Sequence, residues 1–490
     1  MTFNITDGIR STARLHPGAI AIVCGLPGAG AAGARTIDYA SLDRILDAIA
    51  ARVIEQGLSA GASVDIPTRQ ALPLLLIKLA MARAGISTFQ GERTTGADMA
   101  LVKPGQPART SARAIAFDPS WWSEEAISRA PAGVIPHAGG ATVYSLFRTS
   151  GSTGLPKEVL VTHDMMRARW WGDLPDGLPH RARFLCPSGP GGGVGMGYAL
   201  RVFGGAGTVV VPQGNDDLAA LVDAHRVSAF VGSPSSVARL LRGRAEDAGP
   251  FASLEVVLIT GARLPAALAH AARARACANL VCFYGATEVG PVAFGSLAAM
   301  GDHPGAAGFV LPGVDVEATD DAGRTLPPGQ PGLLRMRSPG MGHAYVDDPA
   351  ATARHFRDGW FVPGDIGAVD GDGMLSIQGR NDDLINLGGS KFAPEAIEEL
   401  LLGVPGVFDA AAFPIHHANG NTGVGAAIVA SEDVGVPALE APFHHSHLPK
   451  PYVVIRVDRL PRTESGKVIR RELTALAMAR MPGAARRPAS

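Results

Sequence analysis

From Tyr39 to about Gly57 apolar residues recur at helical spacing, at Leu42, Ile45, Leu46, Ile49 and Val53, which predicts an amphipathic helix ended by a glycine. A second helix is expected from about Leu72 to Ala84, in QALPLLLIKLAMARAG. Lys78 and Arg83 interrupt that run and it is too short to span a bilayer, so it reads as a buried helix. Further along, short runs that are apolar throughout alternate with Ala/Arg/Leu-rich stretches: GTVVVP, DLAALVDAHRV, SAFVGS, SVARLLRGRAED, LEVVLIT, LPAALAHAARARACA and LVCFYG. A strand with no polar alternation is covered on both faces, so this order predicts successive strand–helix units of a parallel sheet between helices. After Gly308 the pattern changes to pieces punctuated by Gly and Pro, such as VDVEATDDAGRTLPPGQPGLLRMR, which predict antiparallel strands. A further change falls at the polar GRNDD that follows DGDGMLSIQ, and the main domain boundary is expected there, between residues 380 and 381. The last residues, GAARRPAS, read as a disordered tail.

Composition narrows the class. At 490 residues and 46% hydrophobic, the chain exceeds one ordinary core and is apolar enough to build two or more. Lys and Arg number 44 against 45 Asp and Glu, without long runs of one sign, so charge makes no case for a nucleic-acid or membrane-surface partner. Cys24, Cys186, Cys277 and Cys282 lack both zinc-site spacing and the density of a disulfide scaffold, which fits a reducing, cytoplasmic setting. The N-terminal MTFNITDGIRSTARLHPG has no continuous apolar stretch, so neither a signal peptide nor an anchor is expected from it.

Four segments carry chemistry. In TSGSTGLPK, Thr149 to Lys157, four hydroxyls and two glycines precede a lysine; backbone N–H groups of such a loop can converge on phosphate oxygens beside a fixed positive charge. It is not a Walker loop, because Leu-Pro separates Gly154 from Lys157, and taken alone a bare Gly/Ser turn is the commoner reading of such a segment. FYGATEVG follows the apolar NLVC and offers an aromatic face for a base, a hydroxyl for a phosphate and the Glu288 carboxylate for Mg²⁺, all at a strand's carboxyl end. A helix start capped by Thr287 is the competing reading. In DGWFVPGDIG, Asp365 lies near two glycines where a carboxylate could accept ribose hydroxyls, and Arg380 could support the sugar or a phosphate; a turn aspartate and a surface arginine are the ordinary alternatives. The helix FAPEAIEELL is assigned no chemistry, whereas Gly388 and Gly389 before it would let a narrow substituent pass close to the backbone. Finally, LPRTESGKVIRREL carries Lys467 on a Gly-containing loop ahead of a basic helix, able to deliver and withdraw a charge, or simply a solvated lysine.

Taken together in this order, the TSGSTGLPK, YGATE, GD and GK segments make the chain resemble the adenylate-forming superfamily of acyl- and aryl-CoA synthetases, peptide-synthetase adenylation domains and luciferases, over roughly Tyr39 to Leu473. The resemblance implies an α/β fold: a large N-terminal domain, 1–380, of stacked βα sheets with a β-barrel-like part, and a small α+β lid, 381–490. It implies that Thr149, Ser150, Gly151, Ser152, Thr153, Gly154 and Lys157 form the phosphate loop, and that Gly261, Ala262 and Arg263 line the adenine slot with Tyr284 and Gly285. It further implies that Thr287 touches the α-phosphate, Glu288 holds Mg²⁺, Asp365 and Arg380 bind the ribose, Asp382 is the hinge, Lys467 serves adenylation, and Gly388 and Gly389 admit the thiol arm. ATP, Mg²⁺ and coenzyme A, or a phosphopantetheinyl carrier protein in its place, would be the cofactors, with a small carboxylic acid as partner.

The departures are specific. Pro363 stands where a threonine usually precedes the Gly-Asp pair, and CPSGPGGGVGMGYAL replaces a Pro-Leu-His stretch. The stretch EAPFHHSHLPKPY lacks the usual amphipathic helix, which implies a trimmed lid; His444, His445 and His447 have no partner cysteine or carboxylate at ligand spacing and read as a solvated loop. No aspartate in FLCPSGPGGG stands ready for a substrate ammonium, which favours a non-amino acid. Free coenzyme A is the expected acceptor because no carrier domain is appended; a ligase loading a separate carrier protein, a non-catalytic adenylate-binding regulator and, less favoured by loop spacing, a Walker-type kinase are the rivals.

Overall fold

The computed structural model describes residues 3–25, 35–66, 68, 70–90, 98–102, 113–117, 119–123, 125, 128, 138–149, 157–171, 177–189, 193–214, 216–245, 247–301, 303, 305–387, 390–416, 422–444, 446–462 and 467–480. The first expected helix spans Tyr39–Glu55: the Asp38 carboxylate accepts from Ser41 N, and Leu42, Ile45, Leu46, Ile49 and Val53 are buried as their spacing requires. The second, Ala71–Ala84, buries nearly all its length and stops at Gly85, whose φ of 70° is the left-handed value a glycine accepts without strain.

The apolar runs form the expected parallel strands. Arg183–Leu185 lies between Thr208–Val211 and Ala229–Gly232, followed outward by Val256–Ile259 and Leu280–Ala286, every neighbouring pair parallel. Between them run the helices Leu218–His225, Pro234–Arg242 and Ala266–Arg275. Past Leu280–Ala286 the sheet turns antiparallel through Gly290–Ser296 and Ala306–Val310, and it continues through the Gly/Pro-punctuated strands Gly332–Arg337, Asp365–Val369 and Met374–Arg380. Among the described residues this makes one sheet of 15 strands beside a second of six that runs from Arg113–Ala116 to Lys157–Thr162. One apolar core, from Ile5 to Leu375, joins the two sheets, and a satellite core fills the space under the helices from residue 218 to 276.

The C-terminal part is smaller. Strands Val407–His416, Thr422–Ala430 and Val453–Arg456 form a mixed sheet. Apolar clusters on its two faces, under Pro394–Leu402 and Arg470–Arg480, draw on residues from Ile385 onward. A short helix, Val436–Glu440, precedes the stretch from residue 441, which itself forms only the 3-10 turn Ala441–Phe443 among its described residues; Leu439 and Phe443 are buried as anchors. Among the described residues no helix is long and apolar enough to cross a membrane.

Candidate active site

Strand Val143–Thr149 pairs antiparallel with Lys157–Thr162, and Thr149 faces Lys157 in the register. The two ends of the hydroxyl-rich segment, Thr149 and Lys157, are therefore held side by side. Ser150, Gly151, Ser152, Thr153 and Gly154 lie outside the described residues, as do Gly388, Gly389 and His445.

At the other wall, Leu280–Ala286 ends the run of parallel strands and Thr287 follows in a turn that re-enters as Gly290–Ser296. The helix-cap reading of Thr287 is thereby corrected: the chain must reverse into an antiparallel strand, so no helix can start there. Gly285 allows that reversal, since a Cβ on it would overlap the Gly290 carbonyl oxygen. The turn is held from behind by Arg169, buried at the end of helix His163–Trp170, which donates from Nε to Gly340 O (2.7 Å) and from Nη2 to Glu288 O (3.3 Å). Burial lowers that guanidinium to about 10 against the pull of Glu288.

On this scaffold the distant segments meet. The Tyr284 hydroxyl donates to Asp365 Oδ2, across 81 positions of sequence. Burial, and next the Asp365 charge, push the Tyr284 phenol far above its ordinary range, so it stays a donor. Asp365 is paired across strands with Arg380 in the register; Arg380 Nη1 lies 3.5 Å from Asp365 Oδ1 and Nη2 donates to Pro363 O at 2.7 Å. Arg380 Nε is buried with no hydrogen-bond partner among the described residues. Glu288 is buried, and its Oε1 accepts the Tyr345 hydroxyl at 2.7 Å. The Lys157 ammonium lies 5.0 Å from the centre of the Tyr345 ring and 3.0 Å from His355 Nε2.

Lys467 completes the cluster from the C-terminal part. Desolvation lowers its pKa most, Arg380 lowers it further, and Asp365, Glu288 and Asp383 oppose them. The residue is nonetheless exposed, so water still reaches its ammonium. A lysine drawn down by one site cation and up by three carboxylates shares a single electrostatic environment with them. Lys467 therefore shares an electrostatic environment with Asp365, Glu288, Asp383 and Arg380, and Lys157 joins Glu288 through Tyr345; separate cations, buried carboxylates and an aromatic donor of this kind can meet a polyanion bearing hydroxyls.

Other expected residues are less central. Gly261, Ala262 and Arg263 are exposed, after strand Val256–Ile259, and Arg263 Nη2 pairs with Glu399 Oε2 of the C-terminal helix at 2.9 Å. Asp382 is exposed in the 3-10 turn Asn381–Asp383. The helix assigned no chemistry does carry charge: Glu395 and Glu398 hold Arg470 at 3.1 and 2.8 Å, and Arg470 also reaches Asp383 at 3.5 Å. Sequence reasoning missed Tyr345, His355 and Arg169, which sit in ordinary local contexts and acquire meaning only through partners far along the chain.

With this geometry in view, comparisons with known proteins are informative. The AMP-binding enzyme family model matches residues 89–346, just over half the chain. A medium-chain fatty-acid–CoA ligase of Escherichia coli (strain K12) is 28% identical over 65% of this chain, which spans 58% of that protein's length. A medium/long-chain-fatty-acid–[acyl-carrier-protein] ligase of Mycobacterium tuberculosis is 26% identical over 97% of this chain and 96% of its own. In three dimensions the chain resembles the ATP-bound MatB of Rhodopseudomonas palustris, with a TM-score of 0.79, 24% identity, and coverage of 97% of this chain and 99% of that one.

Proposed function

The chain belongs to the AMP-binding enzyme family, and on that premise we propose that it activates a carboxylic acid with ATP and passes the acyl group to the thiol of coenzyme A. The observation that carries this reading is the meeting of Tyr284, Asp365 and Arg380, with Glu288 held by Tyr345 and Lys467 electrostatically coupled to the same carboxylates. A substrate carboxylate oxygen attacks the α-phosphorus, the bond to the β-phosphate bridging oxygen breaks, and pyrophosphate leaves. The thiol sulfur then attacks the acyl carbonyl carbon of the mixed anhydride and AMP departs.

In the first step negative charge grows on the α-phosphoryl oxygens, and Lys467 and the Thr287 hydroxyl are the groups we assign to meet it. Lys157, with Thr149 and the intervening residues 150–154, is assigned to the β- and γ-phosphates. Asp365, already fixed by Tyr284 and Arg380, keeps lone pairs for two ribose hydroxyls. The Tyr284 ring, with Gly285 and the exposed backbone at Gly261 to Arg263, is assigned to the adenine. Mg²⁺ fits what is present: the buried Glu288 carboxylate, oriented by the Tyr345 hydroxyl on its Oε1, suits an ion that binds through one or two carboxylates plus phosphates. Held by Glu288, it would neutralise phosphate charge.

For the second step we propose that residues from 381 onward move as a lid about Asp382, withdrawing Lys467 and bringing Gly388 and Gly389 to the adenylate so that a pantetheine arm can pass. A cytoplasmic location fits these substrates. A separate carrier protein is the second reading of the acceptor, favoured by the match to a carrier-protein ligase along nearly the whole chain. Pyrophosphate exchange into ATP over a panel of carboxylic acids tests activation: one or more acids should support it, and ATP binding without exchange for any acid would point to a regulator. Offering coenzyme A and a phosphopantetheinylated carrier in parallel then decides the acceptor.

A further inference from the structure

We infer that His355 is a positioning residue that, together with the Tyr345 ring, holds the Lys157 ammonium at the end of the 149–157 hairpin without cancelling its charge. The inference rests on the ATP reading above for the identity of the anion that Lys157 meets. Its geometry stands apart from that reading.

His355 is the last residue of helix Pro349–His355, and its backbone carbonyl accepts Val362 N at 2.7 Å, at the base of the small hairpin Phe356–Arg357/Trp360–Phe361. The ring is tied to the same place: Nδ1 lies 2.8 Å from Val362 O. A carbonyl oxygen only accepts, so Nδ1 carries the hydrogen and Nε2 presents its lone pair. Nε2 is the atom 3.0 Å from Lys157 Nζ, which only donates. The two contacts together require a neutral imidazole. Burial, Lys157 and Arg354 all push its pKa down, against the Val362 carbonyl and Glu288.

The Tyr345 ring meets the His355 ring edge-on, 5.8 Å between centroids, and offers its face to Lys157 while its hydroxyl is spent on Glu288. An ammonium is thereby held by a neutral acceptor and by the negative face of an aromatic ring. A carboxylate in the place of His355 would bind Lys157 more strongly and neutralise it. An imidazole fixes the cation and leaves its whole charge for an incoming polyanion.

The test uses the full-length protein with ATP binding by titration and pyrophosphate exchange at a saturating acid. His355→Ala should raise the dissociation constant and KM for ATP about tenfold to a hundredfold, the range of a charge-assisted hydrogen bond, with kcat changed far less. His355→Gln, which retains a neutral acceptor, should recover most of the loss. His355→Glu should be as poor as His355→Ala or poorer, and in a Lys157→Ala background His355→Ala should add nothing. Wild-type affinity in His355→Ala or in His355→Glu overturns the proposal, as does a loss in the Lys157→Ala background equal to that in the native one. Absence of ATP binding and exchange in the unmodified protein would instead overturn the underlying nucleotide reading.

Discussion

Replacing Arg470 with methionine removes the cation that binds the C-terminal part to its own helix. Its guanidinium donates to Glu398 Oε1 (2.8 Å), Glu395 Oε1 (3.1 Å) and Ala412 O (3.0 Å) and pairs with Asp383, while the Arg470 and Glu398 side chains are only 17% and 14% exposed. Removing one partner of so buried a group leaves charge uncompensated and costs about 3–5 kcal/mol. At about 1.4 kcal/mol per decade, amide exchange in Pro394–Leu402 and Val407–His416 should accelerate roughly a hundredfold to several thousandfold. The pH dependence has a definite sign. Burial raises Glu398 to about 6, above the ordinary 4.5, and Arg470 opposes that rise. A carboxyl whose folded pKa is raised favours folding in its protonated form, so its contribution is present at low pH and lost as pH climbs through about 6. Without Arg470 the pKa climbs further, and the variant's deficit against the native protein should be larger at pH 7 than at pH 5. Hydrogen exchange read by mass spectrometry suits the measurement. Unchanged protection of these two elements, or a deficit that widens on acidification, would refute the reasoning.

Two further substitutions probe other parts of the account. At Gly197, in helix Gly193–Gly204, a Cβ would overlap the Trp170 indole, itself stacked on Phe283 at 6.1 Å; Gly197→Ala should cost about 1–3 kcal/mol, read as a lowered urea midpoint by tryptophan fluorescence. Asp365→Asn keeps an acceptor for the Tyr284 hydroxyl but loses the carboxylate, so stability should hardly move while the KM for ATP rises about tenfold to a hundredfold, measured by exchange kinetics.

What could be read from the chain follows from where the information lies. Apolar runs such as VVV at 209–211 and VVLI at 256–259 announce buried parallel strands because no face of them is polar, and every one is a parallel strand. The antiparallel strands past Gly308 were legible in their Gly and Pro punctuation, but the change itself comes earlier, at Gly290–Ser296. Thr287 was ambiguous because capping and turn chemistry favour the same residues, and only the return strand Gly290–Ser296 decides between them. The contacts that organise the site have no local signature at all. Tyr284 meets Asp365, Tyr345 meets Glu288 and Lys157 meets His355 across 81, 57 and 198 positions. The slot role of Arg263 is implied by the resemblance alone, and no local pattern announces its pairing with Glu399 on the C-terminal helix.

On the proposed mechanism a lysine from the C-terminal part acts beside Asp365 and Glu288 during adenylation alone. Measuring both half-reactions of Lys467→Ala tests this most directly. Acid-dependent pyrophosphate exchange should fall about a hundredfold to a thousandfold, while thioester formation from supplied acyl-adenylate stays within a few fold of the native protein. Equal loss in both steps, or exchange at the native rate, would contradict it.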